Sequence, residues 1–333
     1  MQDKSGFFGL IIASALCVCA VILGAAYISG ETDALSTTRQ SVSEYIIETP
    51  SVSSQGDSSS SAAPVLNSSA MLGKITESFI SPYKSNTSYN RVYINNKAGV
   101  PLDIKKLLTG ENPVSIEKND KPQVLIVHTH ATECYLSESR DYYTTDDLSR
   151  TTDNTKNMVA IGNIIENKLN AAGIKTLHDK TAHDYPAYSG SYSRSKKTIE
   201  KYLAEYPSIK VVIDLHRDSI GNAGGNKTKP IVEINGKKTA QVMLVMGCGA
   251  NITGHENWQK NMIFAVKYQQ TMEVLYPGLA RGICFVNSKY NQNLSFGSIL
   301  LEVGTDSNSF EEASLAADLA GDALVSYLNT LKK

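Results

Sequence analysis

VLIVHTHATE, running from Val124 to Glu133, opens with four apolar residues and closes on polar side chains. A short apolar run without alternation is the mark of a strand covered on both faces, as in a parallel sheet. Two later stretches are built in the same way: VVIDLHRDS from Val211 to Ser219, and SILLEVGTDSN from Ser298 to Asn308. Each ends on groups able to hold a metal or move a proton, namely His130 and Glu133, then His216, then Glu302. Ligands of open α/β sheets gather outside the carboxyl ends of the strands, so these ends are expected to form one site.

The chain between and around them supports that fold. Gln123 to Val127 reads as a strand. From Asn157 to Ala172, Met158, Ile161, Ile165 and Leu169 recur at helical spacing, with Gly173 as the stop. Ile174 to Leu177 reads as a strand, Ser193 to Ala204 as a helix with Ile199 and Leu203 inward, and Ile209 to Leu215 as a strand. This alternation predicts an α/β fold with a mostly parallel central sheet and helices on both faces. Pro230 to Ile234, Asn235-Gly236 and Thr239 to Met246 together predict a β-hairpin insertion, since Asn-Gly tolerates the positive φ of a tight turn. Arg91 to Asn95 is expected as the first strand and Leu102 to Leu108 as a short helix. Trp258 to Leu275 and Ser309 to Leu331 read as helices, with Gly282 to Val286 as a strand.

Two imidazoles and a carboxylate suit zinc, which in hydrolytic sites keeps three protein ligands and leaves a fourth position for water. The proton released there needs an acceptor. Glu302, at the end of an apolar strand, is the candidate, because desolvation raises a carboxylate's proton affinity. No HExxH occurs, which excludes the helix-borne metalloproteases.

Five strings carry a resemblance. HTHATECY, TAHDYPAYSGSYSRS (Thr181 to Ser195), DLHRDS, GHENWQKNM (Gly254 to Met262) and NQNLSFGSILLEVGTDSNSFEEA (Asn291 to Ala313) resemble, in order, the stage II sporulation protein P family. The resemblance spans about residues 90 to 325. That family groups peptidoglycan hydrolases of endospore-forming bacteria, related to zinc-dependent N-acetylmuramoyl-L-alanine amidases. It implies that His130, Glu133 and His216 hold Zn2+ and that Glu302 is the essential acid/base. It also implies cleavage of peptide cross-links, and partnership with stage II sporulation proteins D and M. His130-x-x-Glu133 also looks like the ligand pair of metallocarboxypeptidases, which favours His130 over His128. The broader amidases usually place the ligand Glu at the start of the first long helix, and Asn154 to Asn157 offers none.

Four residues are expected as substrate contacts or as supports of the ligands: His128, His183, Arg194 and Arg217. His128 shares a strand face with His130. His183 belongs to the His-Asp-Tyr-Pro block. Arg194 opens a helix, an awkward place for a cation, and is either a fork for a stem-peptide carboxylate or a surface residue. Arg217 and Asp214 flank His216 as ready partners.

Residues 1–6 are expected as a cytoplasmic stub and 7–30 as a transmembrane anchor, since Phe7 to Gly30 is uncharged and long enough to span a bilayer. Lys4 before the span and Glu31 and Asp33 after it favour a cytoplasmic amino terminus. Residues 31–75 are Ser-rich and read as a disordered linker. Residues 76–333 are expected as one extracytoplasmic zinc hydrolase domain, at the septal or engulfing membrane of a spore-forming bacterium. The net charge of −1 gives no footprint for nucleic acid. Cys134, Cys248 and Cys284 outside the span form no disulfide framework. Two other readings stand beside the amidase: a non-catalytic peptidoglycan-binding scaffold, and a zinc carboxypeptidase acting on stem peptides.

Overall fold

The computed structural model describes residues 70–249 and 253–333. The expected stub, anchor and most of the linker lie outside these residues. Among the described residues no helix is long and apolar enough to cross a membrane.

The strands are β1 (Met71–Ser78), β2 (Thr87–Tyr89), β3 (Val92–Asn96), β4 (Val124–Val127), β5 (Tyr142–Thr144), β6 (Thr176–His178), β7 (Val211–Asp218), β8 (Lys227–Ile234), β9 (Lys237–Ala240), β10 (Val242–Gly247), β11 (Ile283–Val286) and β12 (Gly297–Thr305). The helices are α1 (Ile104–Thr109), α2 (Met158–Ala171), α3 (Ser191–Glu205), α4 (Trp258–Leu275) and α5 (Phe310–Asn329). An eight-stranded sheet has the order β2-β3-β11-β10-β12-β7-β4-β6. Its neighbours run parallel except β2 with β3 and β10 with β12. The predicted α/β architecture is therefore present.

Alternation along the central strands sorts their side chains onto two unequal faces. Val124, Ile126, Val211, Ile213, Leu215, Ile299, Leu301 and Val303 enter the large core built with α2, α4 and α5. Leu125, Val127 and Val212 point the other way, where Ile199 of α3 and Leu294 meet them in a much smaller cluster. The helix boundaries have local causes. Asn157 caps α2 by accepting from the Val159 N–H, and Gly173 follows it at φ 72°. Ser309 and Glu312 form a reciprocal capping box on α5.

Two expectations need correction. The first strand of the fold is β1, opening at Met71 ahead of residue 76, and the Arg91 to Asn95 strand is β3. The hairpin turn is present, with Asn235 at φ 53° and Gly236 at φ 74°, but its second arm does not continue as one strand. It breaks at Gln241, so that β9 stays in a four-stranded sheet of order β5-β1-β8-β9 while β10 joins the central sheet. Gln241 is fully buried at the break, where its amide donates to the carbonyls of Ile80 and Gly278 and accepts from the Ile80 N–H. A buried amide with these bonds satisfies the backbone at a point where neither sheet can.

Candidate active site

His216 and Glu302 lie on the thin face of the sheet. On β7, Val212, Asp214 and His216 alternate with the core residues, and on β12 Glu302 does the same between Leu301 and Val303. The parallel register pairs Glu302 with His216 and Leu300 with Asp214. Both His216 and Glu302 are 1% exposed.

After β4 the chain turns tightly, with the Glu133 N–H donating to the His130 carbonyl. The turn brings the His130 ring to 5.1 Å from that of His216, at 87°. Glu133 Oε2 lies 3.5 Å from His216 Nδ1, and Asp214 Oδ1 lies 3.0 Å from its Nε2. The backbone carbonyl of Glu133 accepts from the N–H of Met158, the first residue of α2. The backbone of Glu133 is thus joined to the start of the first long helix, although Asn154 to Asn157 supply no carboxylate there.

The charges in this nest follow from burial and neighbours. Burial pushes the His130 imidazole down to about 3. Burial would lower His216 too, but Asp214 and Glu133 outweigh it and hold its proton well above the usual range. For Glu133, burial alone would favour the acid, yet His216 and Arg217 hold the carboxyl well below its ordinary value. A positive charge on His216 therefore sits between two carboxylates.

Zinc fits these residues in kind. Nδ1 of His130 is buried and without a hydrogen-bond partner, which leaves a lone pair where an imidazole ligand needs it. Glu133 supplies the carboxylate. Among the described residues no three His, Cys, Asp or Glu side chains converge on one point as they stand. Binding an ion would require the His216 proton to leave and the ring to give up its present pairing.

Around these groups lies a shell that orients them. Arg217 donates its N–H to Glu133 Oε2 and its guanidinium to the carbonyls of Cys134 and Ser149. Asp214 accepts from the N–H and hydroxyl of Thr129, whose hydroxyl also meets Ser195. Arg150 is bound to Asp184 at 2.5 Å, reaches Glu133 at 3.4 Å, and lies over the ring of Tyr188. Tyr188 in turn stacks on His130 at 4.5 Å. Arg150, Asp184 and Tyr188 were not singled out from the sequence. They sit in loops without periodicity, and the signal for Asp184 and Tyr188 is that both lie within the string TAHDYPAYSGSYSRS.

The remaining expected residues are placed as follows. His128 donates or accepts only within the interior, between the Leu215 carbonyl and His178. His183 is held by the His128 carbonyl and the Thr198 hydroxyl. Arg194 turns its guanidinium back onto the carbonyls of His183, Ala187 and Ser189. It is therefore neither a fork open to substrate nor a free surface cation: it clamps the loop that carries Tyr188. Cys134 donates to the Leu148 carbonyl.

Comparison with known proteins follows the same lines. Stage II sporulation protein P of Bacillus subtilis strain 168 is 30% identical over 223 residues, covering 64% of this chain and 52% of that protein. The chain thus matches about half the length of this curated relative. Two solved structures show a distant likeness. An N-acetylmuramoyl-L-alanine amidase from Clostridium difficile 630 is 15% identical, with a TM-score of 0.36 over 64% of this chain and 97% of that one. The CwlD amidase from Clostridioides difficile, solved with the GerS lipoprotein, is 9% identical, with a TM-score of 0.39 over 62% and 99%. At these scores the likeness decides no activity. The family model for stage II sporulation protein P matches residues 37–325, and the chain belongs to that family.

Proposed function

We propose that this chain is a zinc-dependent peptidoglycan hydrolase that cuts the amide between N-acetylmuramic acid and the first alanine of the stem peptide. The observation that carries the reading is the meeting of His130, Glu133, His216 and Glu302 at one rim, delivered by the ends of β4, β7 and β12. His130, Glu133 and His216 would hold the ion. Bound there, zinc lowers the pKa of a water and polarises the scissile carbonyl. Glu302 accepts the proton from the attacking water and returns it to the leaving amine. Arg217 fixes the Glu133 carboxylate, and Asp214 fixes the His216 ring, so neither must reorganise during the reaction.

The same reading includes cleavage of stem-peptide cross-links, an anchor at residues 7–30, and action during engulfment beside stage II sporulation proteins D and M. The anchor rests on the uncharged run from Phe7 to Gly30, and the cross-link cleavage and the partners rest on the resemblance alone. Incubating the protein with purified sacculi and zinc, then identifying products by mass, tests the core of it. Sugar-free stem peptides are expected. Peptides shortened at their ends would point to a carboxypeptidase, and binding without products to a scaffold.

A further inference from the structure

Two strings that carry the family resemblance, GHENWQKNM and NQNLSF, are not used by the metal rim. The fold brings them together elsewhere, where Gly254 to Asn257, Asn261, Gln292, Asn293 and Phe296 line a cleft of about 130 Å3.

The hydrogen bonding of this cleft is one-sided. His255 is 2% exposed, and its ring is hydrogen-bonded to the backbone of Gly247, leaving Nε2 buried with no partner. Asn261 is equally buried. Its amide nitrogen donates to the Gln292 carbonyl at 2.6 Å, while Oδ1 has no partner. Gln292 is spent on Val245 and Gly247. Two acceptors therefore share a cleft whose own side chains supply no donor to them. A buried acceptor left unmatched costs as much as a lost hydrogen bond, so such a pair calls for donors from outside. Gly249 packs so closely here that a Cβ on it would lie 2.2 Å from the His255 carbonyl oxygen. At the mouth, α4 begins without a side-chain cap. Phe296 is 43% exposed there, with the Lys260 ammonium over its ring at 3.8 Å.

We infer that this cleft is a second, non-catalytic carbohydrate subsite that takes an N-acetylated amino sugar of the glycan strand. Hydroxyl and acetamido N–H groups supply the donors that His255 Nε2 and Asn261 Oδ1 lack, and Phe296 offers a ring for the sugar's C–H face. The lining acceptors repel an anion. The Glu256 carboxylate accepts from the Gly254 N–H and is already offset by the nearby Lys289 ammonium, which disfavours a further cation. The choice of a glycan among donor-bearing ligands rests on the peptidoglycan reading above.

Trp258, the sole tryptophan of the chain, begins α4 three residues from His255 and reports on the cleft directly. The test titrates the full chain with the β-1,4-linked tetramer of N-acetylglucosamine and follows Trp258 emission. A saturable change is expected. Phe296→Ala, at an exposed position that leaves the core intact, is expected to weaken binding about fivefold, and Asn261→Leu to abolish it. His216→Ala is expected to leave the response unchanged, so loss of hydrolysis and loss of sugar binding are separate results. No response from a protein that hydrolyses sacculi would mean that the cleft holds water only and would overturn the inference. So would a response that Phe296→Ala does not weaken, or a response to calcium or zinc salts in place of the sugar.

Discussion

Glu302 and His216 stand side by side in register on neighbouring parallel strands, on the face of the sheet that α3 covers. Neither position is open to solvent, and the proposed function makes Glu302 the group that carries the proton. Glu302→Gln keeps size and polarity but cannot take the proton, and is expected to lower muropeptide release about 100-fold or more, with zinc content unchanged. Retained hydrolysis would remove Glu302 from its assigned role.

His216→Ala and Glu133→Ala each delete one donor of the proposed ligand set. Both are expected to lose zinc on dialysis against a mild chelator under conditions where the unaltered protein keeps one ion per chain. Equal metal retention in elemental analysis would place the ion elsewhere.

Arg150 touches Glu133, Asp184 and Tyr188 at once. Arg150→Met keeps the stem and removes the charge, freeing both carboxylates. Removing an outer partner of a metal ligand typically costs about 10-fold to 100-fold in affinity. We expect a loss of that size in zinc competition against a chromogenic chelator, with thermal unfolding of the metal-free protein little changed.

The rings of His128 and His178 face each other at 2.7 Å between their Nε2 atoms, so a single proton lies between them. Burial pushes His178 down to about 4 and His128 to about 3. Both are neutral when folded at pH 7, whereas an unfolded histidine titrates near 6.5. Their contribution is therefore complete above about pH 6.5 and is lost as pH falls through 4. The urea midpoint of the metal-free protein is expected to drop between pH 6.5 and 4, more steeply than in His178→Gln. Parallel slopes for the two proteins would exclude this origin.

Lys229 is almost fully buried, 3.1 Å from Glu77 and 3.0 Å from Glu312, with its ammonium also on the Ser139 hydroxyl. Removing one member of a buried ion pair leaves a charge without compensation, at a cost of about 3–5 kcal/mol. Lys229→Met should lower stability by that order in chemical denaturation, and adding Glu312→Gln should recover part of it. An unchanged midpoint would show that water reaches the site.

Much of this was legible in the chain because the controlling signals are local. The apolar runs of β4, β7 and β12, the spacing of Met158, Ile161, Ile165 and Leu169, and the Asn235-Gly236 turn each encode one element without outside help. The strand ends then follow from the sheet rule, which is how His130, His216 and Glu302 come to share a rim. What escaped was set by contacts between distant segments. No local pattern says that Arg194 folds back on three carbonyls, or that Arg150 crosses to Asp184. The split at Gln241 was hidden because Thr239 to Met246 reads as one continuous arm, and only the arrival of Ile80 and Gly278 divides it.

The placement of β1 bears on how force enters the molecule. It pairs lengthwise and parallel with β8, in register from Ile75 with Lys227 to Ser78 with Pro230. A pull on the chain ahead of Met71 loads these pairings together, in shear, instead of peeling them one after another. The small sheet is tied in turn to the end of β12, where the Ser307 hydroxyl donates to the Thr228 carbonyl and Lys227 meets Asp306. Load entering ahead of Met71 thus meets β8 first, the strand that follows directly on the one carrying His216.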